Sequence, residues 1–397
     1  MGGNPGDSER HGALKDLVVE GWRFIKHSYA VVNQFQLLAL AQMPGLRLYH
    51  RDLPFFGPHW KTLTGLLPEA SEAALNRIPA PSAARRPDAV YRIGYPYDLS
   101  SSRADRTFAF GTSELLSVTE EMLVKPGSLA RQMAESETTV ITPSCWSKEG
   151  FVRSGAPPDR VKVIPHGIDP AIFRPLDSAG RDALRRKMGW DSYFIILSVG
   201  TMKGNKGLRL MLKALAALAP VYPDLRLVLK GDDAMYDSNR WVAEMADTLT
   251  EKEKQTVLDR IFYLGEPFSF ATMAQLYQVA DAYLSPYMAE GFNLPVLEAA
   301  ASGLPIVCTR GGPTDDFAHP RFFLGIDSCL QKKRVSATQT NRFLLPNLEH
   351  LIIRLRQIIE DDDLRGDARQ RLPGWIHDQF AWKVIARKLR DFLFVSS

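Results

Sequence analysis

Apolar residues recur along this chain in two rhythms: short, nearly unbroken runs, and longer stretches of helical spacing. The first set of runs falls at residues 17–20, 47–50, 89–93, 107–110, 139–142 and 161–164, and each reads as a strand. An apolar helix is expected over 28–42, after a loop at 21–26, and the turn Pro165-His166-Gly167-Ile168-Asp169-Pro170 closes this half. The second set begins near Tyr193, with strands at 194–199, 225–229, 261–264, 282–285 and 306–308. A Gly- and Lys-rich loop after 194–199 leads into a helix ending near Ala219. Unbroken apolar runs suit strands covered on both faces, and their alternation with helices implies parallel sheets. The expected class is therefore α/β, with two units joined through 174–191 and spanning 1–180 and 181–374. Ligands of open α/β sheets bind beyond the carboxyl ends of the strands, so two facing sheets place the chemistry in an interdomain cleft.

Composition narrows the function more than the fold. With 45% hydrophobic and 24% charged residues over 397 positions, the chain is of ordinary globular type and long enough for two cores. Forty-nine Lys and Arg against 45 Asp and Glu leave a net charge of +4, too small a balance to call for a nucleic-acid partner. Cys145, Cys308 and Cys329 are widely spaced, which argues against a disulfide framework or a zinc site and for a reducing compartment. The first eight residues lack the cationic-then-apolar order of a signal peptide, Gly6 breaks the myristoylation pattern, and no run reaches ~18 apolar residues. A cytoplasmic protein is expected. The triplet Asp361-Asp362-Asp363 reads as a solvated turn between helices.

The most informative run is Glu290-Gly291-Phe292-Asn293-Leu294-Pro295-Val296-Leu297-Glu298, continuing through Ala301 to Gly303-Leu304-Pro305. Pro295 suits a helix start, residues 296–301 favour helix, and Gly303 with Pro305 ends it, so a two-turn helix follows a loop and precedes a strand. Such a loop directs free N–H groups and the positive end of the helix dipole into the cleft, an anion site suited to a diphosphate. Glu290 and Glu298 flank it, as acids would to receive a sugar on one side and a ribose on the other. A second strand–loop–helix element is Gly200-Thr201-Met202-Lys203-Gly204-Asn205-Lys206-Gly207. Lys206 near a helix start opposes the dipole unless an anion binds there; a departing diphosphate would use its point charge. A solvated loop lysine, with Lys203 as its equal, is the plain alternative. Neither element fits Gly-x4-Gly-Lys-Ser/Thr or Gly-x-Gly-x-x-Gly, which removes the usual kinase and dehydrogenase patterns.

The run 290–307 resembles the Glu-x7-Glu signature of retaining GT-B glycosyltransferases of family 4. The resemblance extends to Val163–Asp169 with Phe173 and Pro175, to the Gly200–Gly207 loop, and to Gly311-Gly312-Pro313 with Asp315 or Asp316. It runs from about Thr139 to Phe317. It implies the GT-B fold, two Rossmann-like domains, with residues 375–397 forming a last helix that packs back on the first. It implies transfer of a hexosyl group from a UDP- or GDP-sugar, with retention, to a hydroxyl on a glycan, glycolipid or small molecule. Glu290 would contact sugar hydroxyls, the backbone of Gly291, Phe292, Asn293 and Leu294 would hold the diphosphate with Gly200 and Thr201 nearby, Glu298 would take the ribose, and Lys206 would neutralise the leaving phosphate. No cofactor and no metal are expected, since the family relies on lysine and helix dipole, and apart from the triplet Asp361-Asp362-Asp363, which reads as a solvated turn, the sequence carries no Asp-x-Asp motif.

Three departures stand out. Thr201 replaces the Arg of many relatives, so Lys203 is a candidate second cation. Asn293 replaces Gly, and Asn tolerates positive φ. The Gly-Gly loop after the first strand is missing; Lys26-His27-Ser28-Tyr29-Ala30 stands there, making His27, Ser28 and Tyr29 acceptor-side candidates, with Ser28 a candidate helix cap. The family's N-domain histidine has no match, and Asp98 is the candidate for that role. His166 reads as part of the hinge turn. Arg387, Lys388 and Arg390 leave room for a peripheral contact at the inner face of a membrane, although a solvated helix face accounts for them more simply. Thr201 and the missing Gly-Gly loop also motivate a rival reading, a weakly active GT-B subunit that serves as scaffold for a partner transferase.

Overall fold

A computed structural model describes residues 14–57, 60–336 and 339–394. The first parallel sheet contains β1 (Lys15–Gly21), β2 (Leu46–Asp52), β3 (Ala89–Ile93), β4 (Arg106–Phe110), β5 (Thr139–Thr142) and β6 (Val161–Val163), in the order β2-β1-β3-β4-β5-β6. The second contains β7 (Phe194–Val199), β8 (Leu225–Lys230), β9 (Ile261–Leu264), β10 (Ala282–Ser285), β11 (Ile306–Thr309) and β12 (Phe323–Ile326), in the order β12-β11-β10-β7-β8-β9. Helices cover both sheets, which is why the central strands, such as β10 and β11, are buried along their whole length.

The strand orders locate the ligand regions before any side chain is considered. Chain direction across the sheet reverses between β1 and β3 in the first lobe and between β7 and β10 in the second. Crevices open at such switch points, because the connections on either side leave to opposite faces. The loops concerned are those after β1, β3, β7 and β10.

The chain returns to the first lobe at its end. The helix Asp362–Phe380 belongs to the second lobe, and the helix Trp382–Phe394 packs on Ser28–Leu40 of the first, with Phe35 and Trp382 stacked at 5.8 Å. The junction is pinned to the hinge turn, where Ile168 N donates to Phe380 O at 2.7 Å and Trp382 N to Ile168 O at 2.9 Å. Gly167 is required there, since a Cβ would meet the Trp382 ring at 2.6 Å. Asp361 caps the preceding helix junction by accepting from Leu364 N at 2.8 Å, as a turn residue between helices should. Arg387 and Lys388 are exposed, and Arg390 pairs with Asp391. Among the described residues no helix is long and apolar enough to cross a membrane.

The structure adds elements that the apolar pattern did not reveal. Strand β12 extends the second sheet, and β13 (Ser328–Arg334) with β14 (Thr340–Pro346) forms a separate antiparallel hairpin. Its residues are mostly polar or exposed, so no buried periodicity marks it.

Candidate functional site

A cavity of about 840 Å³ lies between the lobes at the four switch-point loops, within the size range of small-molecule sites. Its second-lobe floor is the turn into the helix Leu294–Ala301. Asn293 adopts φ 77°, ψ 65°, a left-handed conformation that its short amide tolerates, and Asn293 Nδ2 donates to Ser285 Oγ at 2.9 Å. No side chain caps the helix, and Pro295 carries no N–H. The start of this helix faces the cavity uncapped. The helix itself is anchored by Val296, Leu297 and Ala299–Ala301, and Gly303 ends it at φ 84°.

Opposite this turn, Lys206 closes the short turn Gly204–Lys206 that follows β7. It precedes the helix Leu208–Leu218 rather than beginning it. Gly207 sits at φ 72°, and a Cβ there would collide with the Pro286 carbonyl oxygen. The close passage of the two loops brings Lys206 Nζ into an ion pair with Glu290 Oε1. Burial would pull the Lys206 ammonium down, but Glu290 and Glu114 outweigh it and hold it above the ordinary lysine range. Burial, followed by Glu290, pushes Glu114 up, against Lys206 and Lys203. Glu114 itself comes from the first lobe, just beyond β4, and Asn205 Nδ2 approaches its Oε2 at 3.4 Å.

Glu298 lies one turn into the helix and accepts from Tyr277 OH at 2.6 Å. Burial pushes its carboxyl up to about 7, only partly countered by that hydrogen bond. Further cations gather around the cavity. Lys230 ends β8, lies over the Phe268 ring at 4.9 Å, and is lowered by burial. Lys26 reaches in from the first lobe and is brought down to about 8 by burial and then by Lys230. Lys203 lies over Tyr236 at 5.4 Å. Thus Thr201 lines the cavity together with Lys26, Lys203, Lys206 and Lys230.

First-lobe candidates are largely brought together. His27, Ser28 and Tyr29 line the cavity. His27, not Ser28, caps the helix Ser28–Leu40: its Nδ1 accepts from Tyr29 N at 3.2 Å, because Ser28 is already the first helical residue. Burial holds His27 down to about 4, so the ring is neutral, and the cap puts its proton on Nε2. Tyr29 OH meets Tyr97 OH at 3.0 Å. His166 also lines the cavity, edge-on to Phe292 at 4.7 Å, and burial holds it down to about 3. Asp98 does not reach the cavity lining. Its carboxylate accepts from Ser100 N at 3.0 Å and lies 3.5 Å from Arg92, which turns it into the loop after β3.

Gly200, Thr201, Lys206, Glu290, Gly291, Phe292, Asn293, Leu294 and Glu298 all line one cavity. Gly291 also ties the lobes, since its carbonyl accepts from Ser144 Oγ at 2.6 Å and Ser147 Oγ at 3.1 Å. Sequence reasoning missed Glu114, Lys26 and Lys230, although each lies at or just beyond the carboxyl end of a strand. Gln339 and Asn341 of the hairpin were also missed, and nothing in their own segment signals a site. Among the described residues no three His, Cys, Asp or Glu side chains are grouped to hold a metal.

Residues 193–321 match the family model described as glycosyl transferases group 1. The second lobe thus carries a segment similar to the group 1 glycosyl transferases. The whole fold is GT-B: an Anabaena HepE structure in complex with UDP and glucose superposes with a TM-score of 0.67 at 15% identity, covering 96% of this chain and 99% of that one. WaaG, described as a glycosyltransferase involved in lipopolysaccharide biosynthesis, superposes at 0.61 with 17% identity, covering 96% and 100%. Among curated sequences, a D-inositol 3-phosphate glycosyltransferase of Pseudarthrobacter chlorophenolicus is 33% identical over 182 residues, 44% of this chain and 40% of that one. A mannosylfructose-phosphate synthase of Agrobacterium fabrum is 28% identical over 153 residues, 38% of this chain and 33% of that one. The matched region therefore spans well under half the length of these curated relatives. The GT-B lobe that matches is the one holding Lys206, Glu290 and Glu298.

Proposed function

We propose that this protein transfers a sugar from a nucleoside diphosphate sugar to an acceptor hydroxyl, with retention at the anomeric carbon and without a metal. The observation that carries the reading is the uncapped start of the helix Leu294–Ala301, opening on a cavity between Glu290 and Glu298. The diphosphate takes the free N–H groups of that turn. Glu298 accepts from the ribose and Glu290 from the sugar, while Lys206 exchanges Glu290 for the departing phosphate. Preorganised positive charge of this kind acts where negative charge develops. No side chain is assigned as a covalent nucleophile, which favours departure and attack on the same face. Four lysines at the cavity answer one of the two motives of the scaffold reading, Thr201 in place of a cation, and favour an active transferase; the missing Gly-Gly loop was the other.

The complex of the Anabaena neighbour makes UDP the first probe and GDP the second. Thermal denaturation with each nucleotide, then release of nucleoside diphosphate from UDP-glucose and GDP-mannose, tests the reading. A ligand at 100-fold its Kd adds about 2.7 kcal/mol to the folded state. Neither nucleotide raising the melting temperature at millimolar concentration, and no release from either donor, would refute the assignment.

A further inference from the structure

We propose that Ser144 and Ser147 of the first lobe are positioning residues for the donor: they orient the Gly291–Phe292 peptide of the second lobe so that its N–H meets the diphosphate. The proposal rests on the sugar-transfer reading above and concerns residues that reach the donor only through another group.

The two serines stand at the start of the helix Cys145–Arg153, which follows β5. Ser144 is its N-cap, and Ser144 Oγ accepts from Ser147 N at 3.0 Å. Ser147 Oγ accepts from Ser113 N, in the loop after β4, at 3.1 Å. Each oxygen already accepts an N–H of its own lobe, and a serine hydroxyl has a single proton to give. Both protons go to one atom of the other lobe. Gly291 O accepts from Ser144 Oγ at 2.6 Å and from Ser147 Oγ at 3.1 Å, which occupies both of its lone pairs. Ser113, Ser144 and Ser147 are fully buried, so solvent does not compete for these bonds.

The second lobe is shaped to receive them. A Cβ on Gly291 would stand 2.8 Å from Thr112 Cβ of the first lobe, so only glycine lets the carbonyl come this close to the helix start. Cys145 N donates to Asp316 Oδ2 at 2.6 Å, a second bond from the same helix start to the second lobe.

The consequence lies at the other end of the peptide. Its bond is trans, so C=O and N–H share a plane and point in opposite directions. Holding Gly291 O against the helix start therefore aims the Phe292 N–H the other way. Among the described residues nothing accepts from that N–H, and Gly291 and Phe292 both line the cavity. A carbonyl that accepts two hydrogen bonds also polarises its peptide, which makes the N–H a stronger donor to an anion. Serine hydroxyl, peptide and phosphate thus form a relay that is complete only while the lobes touch. Through it the first lobe acts on a turn that the second lobe builds.

Calorimetric titration of the full chain with UDP and, separately, with uridine reads phosphate recognition apart from that of base and ribose; GDP and guanosine replace them if the preceding test selects GDP. The double variant Ser144→Ala with Ser147→Ala frees the peptide to turn. Its UDP affinity should fall about tenfold, two hydrogen bonds to a buried carbonyl being lost, while uridine affinity stays unchanged. Ser147→Ala alone keeps the helix cap and one bond to Gly291 O, and should cost UDP about threefold. Asp316→Ala removes the neighbouring interlobe bond without touching the Gly291 carbonyl, and should leave both affinities within about twofold. Circular dichroism and thermal denaturation report the folding of each variant. The proposal is overturned if the folded double variant binds UDP as the wild type does, or if uridine loses as much as UDP. It is also overturned if Asp316→Ala loses as much as the serine pair, which would make lobe contact alone the cause. Should the double variant not fold, Ser147→Ala decides by the same comparisons. Failure of the transfer reading is separate: the wild-type protein then binds neither nucleoside diphosphate.

Discussion

Glu298 offers the sharpest test, because its carboxyl serves binding and stability in opposite directions. Its pKa moves from an ordinary 4.5 to about 7, mainly through burial. A raised acid keeps its proton in the fold, so the stability it allows is complete below the unfolded pKa and is lost as pH rises through the folded one. Worked through linkage, the penalty relative to a neutral side chain is roughly 1 kcal/mol at pH 5 and about 3 kcal/mol at pH 8. Glu298→Gln keeps the shape and can still accept from Tyr277 OH. The variant should therefore gain on wild type by about 2 to 3 kcal/mol between pH 5 and pH 8 in nucleotide-free protein. Denaturant unfolding at both pH values measures this. UDP affinity should run the other way: in the proposed role the carboxylate accepts the ribose hydroxyls, so wild-type Kd should tighten about tenfold from pH 6 to pH 8. Calorimetric titration of the variant should show weaker binding with no such slope. A stability gap that does not change with pH, or a wild-type Kd flat across that range, would refute the reasoning.

Two further outcomes follow from the same loops. Lys206→Ala leaves Glu290 and Glu114 facing each other without their shared cation, and removes the charge proposed to meet the leaving phosphate. Turnover in a donor-release assay should fall by roughly 10²- to 10³-fold, and loss of less than threefold would remove Lys206 from the chemistry. Gly207→Ala forces a methyl against the Pro286 carbonyl at φ 72°, whereas Gly204 has open space around its Cβ position. Ala at 207 should destabilise by more than about 1 kcal/mol and abolish the UDP-induced thermal shift. Ala at 204 should leave both unchanged, and equal behaviour of the two variants would dismiss the strained-loop account.

Much of the fold was legible because parallel sheets write themselves plainly. Strands such as Ala89–Ile93, Ile261–Leu264 and Ala282–Ser285 are short and bounded by turn residues, and they coincide with the apolar runs. The hairpin was not legible: its residues pair with each other and with loops of both lobes, so neither face carries an apolar period. Asp98 shows the opposite error. It lies beyond the correct strand, yet Arg92 and Ser100 hold it within its own loop. Sequence position located the loop, and local pairing decided which of its side chains reached the cavity.

The order of residues alone determined two parallel α/β lobes, the short helix after Asn293, and the pair of acids one loop apart. Those features depend on neighbours within a few positions: a turn that tolerates positive φ, a proline at a helix start, a glycine at its end. Only the tertiary structure decided that Glu114 joins Lys206 and Glu290, that Lys26 faces Lys230, and that Asn341 meets Ser117. Each of those contacts joins residues that lie far apart along the chain. Charge and hydrogen bonding act through space at a few ångströms, whereas the sequence orders residues along a path, and only folding brings the two together.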